Sequence, residues 1–208
     1  MKIEREQIVD EALRLLDDGG LDQLTTRRLA ERLGVQQPSL YYHFRNKQAL
    51  VDALNARLLA TEHTYRLPAQ DDDWASYLFA NAKSFRRALL SHRDGARVHA
   101  GSHAAAPDLP MAEAQLKSLN DAGFPADAAL QLLVTLSRFT VGSVLEEQAE
   151  LANPPADPAA TNAFPEYPYL SAAHAQYWSG SYEANFEAGL RLILDGARAI
   201  RIGRKLAG

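Results

Sequence analysis

Cysteine is absent from the 208 residues, which removes disulfides, thiolate metal sites and a cysteine nucleophile together. A reducing compartment suits such a chain. Long hydrophobic runs are also missing. The longest mostly apolar stretch, 128–136, is interrupted by Gln131 and Thr135, and it is too short to cross a bilayer. The opening stretch, MKIEREQIVDEALRLL, is charged and periodic and lacks the apolar centre of a secretion signal. The expectation is a cytoplasmic protein with no membrane partner. Positive charge is in deficit as well, with 22 Lys and Arg against 26 Asp and Glu, a formal net charge of -4. Any polyanion this protein holds must therefore meet a local gathering of cations.

Alternating strand patterns are lacking too; helical punctuation dominates. Ile8, Ala12, Leu15 and Leu16 recur at helical spacing, and Gly19-Gly20 closes that segment. Thr25 or Thr26 can cap a second helix that stops at Gly34, and Pro38 suits the first turn of a third. A fourth runs from Lys47 towards His63. Residues 65–74 read as a linker whose Asp71, Asp72 and Asp73 favour the start of the next helix. Further helices are expected at about 74–92, 110–122, 126–149, 169–179 and 182–204. The stretch 151–168 holds five prolines and is expected to be irregular. The fold expected is all-α, an N-terminal helix-turn-helix three-helix domain at 1–47 and a C-terminal helical ligand-binding and dimerisation domain at 48–208. Residues 48–64 would form the connecting helix.

The missing cations turn up in one place. Between Thr25 and Leu50, Arg27, Arg28, Arg32, Arg45 and Lys47 face one acid, Glu31. A helix, a tight turn at Gly34 and a short helix opening Gln-Pro-Ser describe a helix-turn-helix, whose second helix can enter the DNA major groove. Gln37 can bond adenine bidentately and Arg27 can reach guanine. Ser39, Tyr41 and Tyr42 can touch thymine methyls, sugars or phosphates, and Lys47 is placed for a phosphate. The whole stretch TTRRLAERLGVQQPSLYYHFRNKQALVDAL resembles the N-terminal domain of the tetracycline-repressor (TetR) family. The resemblance implies a homodimer that represses transcription on double-stranded operator DNA and leaves it on binding a small molecule. It adds Thr26, Pro38 and His43 to the DNA-binding set.

Resemblance continues into the second half. EHTYRLP, SFRRALLSHRDGARVHAG, AEAQLKSL and SRFTVGSVLEEQ look like the tetracycline-responsive branch of that family, and FEAGLRLILDG resembles its last dimerisation helix. Carried over position by position, the implied inducer contacts are His63, Asn81, Phe85 and Gln115. The implied metal contacts are His99 and, across the dimer and through water, Glu146. Tetracycline chelates Mg²⁺, a hard cation that keeps several waters and needs few protein ligands. A neutral imidazole is required, so inducer binding is expected to weaken near pH ~6.5. Ser102 and His103 stand where that branch carries Thr and Arg, in a turn implied to rearrange on induction. Ser102 keeps a hydroxyl; His103 lacks the guanidinium.

Two other readings remain. The regulator could answer a different flat, polar or metal-chelating ligand, or the chain could be an architectural DNA-binding protein without an inducer. An enzyme is not expected. Ser91-His92-Arg93-Asp94 has the residue types of a hydrolase triad, but neighbours on a helix point in different directions. Leu190, Ile193, Leu194 and Ala197, with Gly189 and Gly196, read as the apolar stripe of a dimer interface.

Overall fold

The computed structural model describes residues 3–103, 109–154 and 166–205, without the side chains of 200–205. Among the described residues there is no strand. Helices follow one another as α1 (Arg5–Gly19), a 3₁₀ turn (Leu21–Gln23), α2 (Thr26–Leu33), α3 (Gln37–Tyr41), α4 (Lys47–Glu62) and α5 (Trp74–Leu90). They continue as α6 (Gly95–Gly101), α7 (Leu109–Asp121), α8 (Ala126–Ala152), α9 (Pro168–Trp178) and α10 (Tyr182–Lys205). The chain separates into two compact units, Met1–Leu145 and Glu146–Gly208.

Local chemistry explains the helix ends. Thr25 caps α2, its hydroxyl accepting from the Arg28 N–H at 3.2 Å, and Asn46 caps α4 through the Ala49 N–H at 2.8 Å. Of the three aspartates before α5, Asp73 is the cap, accepting from the N–H groups of Ala75 and Ser76 at 2.8 and 3.0 Å. Asp72 instead accepts from the Ala69 N–H at 2.7 Å and from the Tyr65 hydroxyl. Gly34 ends α2 at φ 64, ψ 29, the left-handed region that favours glycine. A side chain there would meet nothing within 4 Å, so backbone conformation alone explains the glycine.

In the first unit α1 to α4 share one core. Ile8, Leu16, Leu29, Leu40, Leu54 and Leu58 are its buried centre, and each such aliphatic side chain contributes roughly 1.5–3 kcal/mol relative to exposure. Val98 of α6, fully buried, belongs to the same core. A second cluster joins Phe85 and Leu89 of α5, Ala96 of α6 and Val144 of α8.

α6 was not foreseen as a separate helix. It starts from a tight corner. Asp94 has φ 56 and Gly95 follows so close to α5 that a Cβ would lie 2.1 Å from the Leu89 carbonyl oxygen. Asp94 accepts from the Leu21 N–H at 2.7 Å, Arg97 bonds Asp22 at 2.9 Å, and His92 meets Asp17 at 2.8 Å. The Ser91–Asp94 run is thus a turn that ties α6 to the end of α1, with its polar groups spent on structure.

Two expectations need correction, and one falls largely outside the described residues. α8, at 27 residues, is long and apolar enough to cross a membrane by length and composition, contrary to the reading from 128–136 alone. Its buried Ala129, Leu132, Leu136, Thr140 and Val144 lie on one stripe, as in a helix packed on protein. On α10, Leu190, Leu194 and Ala197 are already buried within the single chain, so they are not an open dimer face. The exposed apolar positions of α10 include Ala184, Ala188, Leu192 and Ala199, with Leu192 76% exposed. Finally, most of the proline-rich stretch 151–168, and residues 104–108 after His103, lie outside the described residues.

Candidate DNA-reading surface and ligand site

The first surface is built by α2, the Gly34 turn and α3. Leu29, Ala30 and Leu40 are buried, which turns the opposite faces outward. Arg27 is exposed, as are Pro38, Tyr41, Tyr42 and Lys47, while Thr26, Gln37, Ser39 and His43 are half-buried. Tyr42 is 91% exposed, an apolar ring left in water beside cations. Phe44 instead turns into the core and carries the Arg5 guanidinium over its ring at 4.8 Å.

The cations divide by partner. Arg32 is held by Glu11 at 2.7 Å and by Asp18, so it fastens α2 to α1. Arg28 reaches the Gln23 backbone carbonyl at 3.5 Å. Among the described residues Arg27 pairs with Glu31 at 3.0 Å, with side chains 82% and 60% exposed. Such a pair is worth about 0–1 kcal/mol and yields easily to a stronger anion. Gln37 donates from Nε2 to the Thr26 hydroxyl at 2.9 Å. That bond fixes the amide and leaves one N–H and the carbonyl oxygen for a further partner.

The second site forms where α4 ends. His63 and the backbone of residues 65–66 are met by α5 and α7. Ser84 accepts from the Tyr65 N–H at 3.0 Å and lies 3.2 Å from His63 Nδ1. Asn81 donates to the Tyr65 carbonyl at 2.8 Å, and Gln115 donates to the Arg66 carbonyl at 2.9 Å. The Tyr77 hydroxyl shares that carbonyl at 3.0 Å, and burial pushes its pKa up to about 12. Asn81 keeps its oxygen and a second N–H for another partner, whereas Gln115 also bonds the Tyr77 hydroxyl and keeps its oxygen.

Phe85 joins the two histidines. Its ring lies 5.5 Å from that of His63 and 5.0 Å from that of His99, the latter edge-on at 73°. Burial lowers the His63 pKa to about 4, helped by Arg66, Arg87 and His99, and burial lowers that of His99 as well. Both imidazoles are neutral near pH 7. His99 Nδ1 lies 2.9 Å from Asn55 Oδ1.

Beyond His99, α6 ends and is anchored to α4. Gln48 donates to the Gly101 carbonyl at 2.8 Å and to Asp52 at 2.9 Å, and Asp52 also accepts from the His103 N–H at 2.9 Å. The Ser102 hydroxyl donates to the His99 carbonyl at 2.8 Å. With the helix ended at Gly101, His99 and His103 do not share a helical face.

His63, Asn81, Phe85, His99 and Gln115, scattered over 63–115, are thus neighbours. Glu146 is exposed on α8 and heads the second compact unit; its expected role belongs to a partner chain. Sequence reasoning missed Ser84, Asn55, Gln48 and Asp52. The last three had a signal, since they recur on one face of α4 at spacings of four and three residues.

A family model described as "Bacterial regulatory proteins, tetR family" matches residues 8–54, and one described as "Tetracyclin repressor-like, C-terminal domain" matches 67–201. The tetracycline repressor protein class C of Escherichia coli is 50% identical over 204 residues, covering 97% of this chain and 93% of that protein. Among solved structures, TetR from Acinetobacter baumannii AYE has a TM-score of 0.81 at 42% identity, covering 96% of this chain and 99% of its own. A class A TetR in complex with 5a,6-anhydrotetracycline and magnesium has a TM-score of 0.75 at 44% identity, with coverage of 95% and 99%.

Proposed function

The chain belongs to the tetracycline-repressor family, and from that premise we propose that it is a homodimeric transcriptional repressor. It holds a palindromic operator and releases it when a tetracycline–Mg²⁺ chelate binds. Residues 1–47 are the DNA-binding domain and 48–208 the ligand-binding and dimerisation domain, with 48–64 connecting them. The chain acts by binding rather than catalysis, in the cytoplasm, where its gene and its inducer meet.

One observation carries the reading: α6 serves both halves of it. Val98 lies in the core shared by α1 to α4, while His99, the next residue, stands among the polar groups around Phe85. A ligand that shifts His99 must therefore disturb the packing beneath the DNA-reading helices. A densely packed core transmits such a shift rather than absorbing it.

On the DNA side, Arg27 and Gln37 read bases, whereas Thr26, Tyr41, His43 and Lys47 meet the backbone. Pro38, Ser39 and Tyr42 contribute apolar and sugar contacts. On the ligand side, Asn81, Gln115 and His63 supply directed hydrogen bonds and Phe85 covers an apolar face. Ser102 and His103 form the turn that responds.

The donor set suits a magnesium chelate. Asn55 takes the Nδ1 side of His99, which leaves Nε2 as the ligating nitrogen, and burial keeps the ring neutral. One imidazole, with Glu146 of the partner subunit acting through water, is enough for a hard cation that arrives already chelated. His99 would hold the cation, which would supply positive charge to anchor the inducer's chelating oxygens. Titration of the purified protein with tetracycline, with and without Mg²⁺, tests this. Tight, Mg²⁺-dependent binding that competes with operator DNA supports the proposal; binding indifferent to Mg²⁺, or none, removes it.

A further inference from the structure

Asn55 has no part in the DNA-reading surface, and it contributes nothing to the hydrophobic core through which α4 packs. It sits half-buried in the middle of α4, among the buried Ala53, Leu54 and Leu58. Asparagine is a poor helix former, because its amide competes for backbone hydrogen bonds. Its one described polar contact is with His99, Oδ1 to Nδ1 at 2.9 Å.

An amide oxygen only accepts. The proton between these atoms therefore belongs to His99 Nδ1, which leaves Nε2 unprotonated in the neutral ring. Two further contacts restrain the residue, one at its ring and one at its backbone. Phe85 meets it edge-on at 5.0 Å, and the His99 carbonyl is bonded by the Ser102 hydroxyl at 2.8 Å. His99 is thus held by a packing partner on α5, an amide on α4 and its own helix end.

Resting on the function proposed above, we propose that Asn55 is a positioning residue for inducer binding. It selects the Nδ1–H tautomer of His99, so that Nε2 presents its lone pair to the divalent cation of the inducer chelate. Without that acceptor the ring is free to carry its proton on Nε2, and a cation must first displace it. Partners of this kind, bonded to the ring nitrogen that does not ligate, typically govern metal affinity by about 10–100-fold. The contact also gives α4, the helix leaving the DNA-binding domain, a direct hold on the ligating side chain.

The test has two parts. The first uses the protein free of metal and inducer, with ¹⁵N-labelled histidine and His99→Gln to assign the ring signals. At pH 8 His99 should show a protonated Nδ1 and an unprotonated Nε2, and Asn55→Ala should move the proton towards Nε2. Asn55→Asp, whose carboxylate still accepts, should keep the native pattern. The second part is tetracycline titration with and without Mg²⁺. Asn55→Ala should lose about 10–100-fold of the Mg²⁺-dependent affinity while binding without Mg²⁺ stays unchanged, and Asn55→Asp should restore most of the loss. A native His99 that carries its proton on Nε2 overturns the proposal even if Asn55→Ala fails to fold. So does Mg²⁺-dependent binding that is native in Asn55→Ala, a result that leaves the proposed function standing. Native protein that binds no tetracycline with Mg²⁺ removes that function, and the role of Asn55 with it, whatever the tautomer.

Discussion

Val98 and His99 are consecutive residues that serve different neighbourhoods: Val98 is fully buried in the core formed with α1 to α4, and His99 is bonded to Asn55 and set edge-on to Phe85. A helix of seven residues, Gly95–Gly101, thus touches the proposed inducer contact with one side chain and the DNA-binding core with the next. Val98→Ala should cost about 1–3 kcal/mol by leaving a cavity. It should also loosen the coupling, so that saturating inducer releases less operator than from the native protein. Chemical denaturation and a release assay at saturating inducer measure the two effects separately. Native release from a destabilised Val98→Ala would show that coupling runs by another route.

Gln37→Ala should cost about 1–3 kcal/mol at one operator position and relax preference there. Because the Thr26 hydroxyl accepts from Gln37 Nε2 at 2.9 Å, Thr26→Val should relax preference at that same position by a smaller amount, and Thr26→Ser should not. Binding to a panel of single-base operator variants decides this. A uniform loss across the panel in Thr26→Val would make Thr26 a backbone contact only.

Lys47 opens α4 and is exposed. Lys47→Ala should weaken binding to all sequences alike and reduce the slope of log affinity against log salt by about 1. An altered base preference with an unchanged slope would contradict a phosphate contact. Arg32→Ala should instead lower stability, since its guanidinium is spent on Glu11 and Asp18.

Burial sets the direction of the pH response. His63 titrates at about 4 in the folded chain, below its ordinary 6.5. As pH falls the unfolded chain takes up that proton first, so stability is full above about 6.5 and declines as pH drops towards 4. Denaturation of native and His63→Gln protein across that range should show the native advantage shrinking as pH falls; a constant difference would be the contrary result. His99 is also lowered by burial. Mg²⁺-dependent inducer binding should therefore persist below pH 6.5, where an ordinary histidine would already be half protonated.

The α10 face left open by the single chain runs through Ala188, Leu192 and Ala199. Leu192→Arg should yield a monomer in sedimentation at micromolar concentration and abolish tight binding to a two-half-site operator. Leu190→Ala should act on folding, because Leu190 is buried within the chain. A Leu192→Arg dimer as stable as the native one would place the interface elsewhere.

These positions also mark what the sequence could reveal. The helix-turn-helix was legible because Thr25, Gly34 and Pro38 punctuate it, each with a backbone requirement only a few residues meet. α6 was not, since two turns with glycine at either end leave no apolar period to read, although it carries His99. On α10 periodicity identifies apolar faces without saying what covers them. Leu190 and Leu194 face their own chain, and Leu192, between them, does not. Asn55 was within reach as a polar residue on the Gln48–Asp52 face of α4. Its partner is 44 positions away, a distance that no local pattern spans.

The central claim is release of DNA by a metal chelate held at His99. The most direct measurement follows a labelled duplex, selected by the protein from a random pool, during titration with tetracycline in the presence and absence of Mg²⁺. The account predicts release from the native protein that depends on Mg²⁺, and a His99→Ala protein that binds the duplex as tightly but keeps it. Native protein that stays on its duplex at saturating tetracycline and Mg²⁺, or His99→Ala that releases as readily as native, would contradict it.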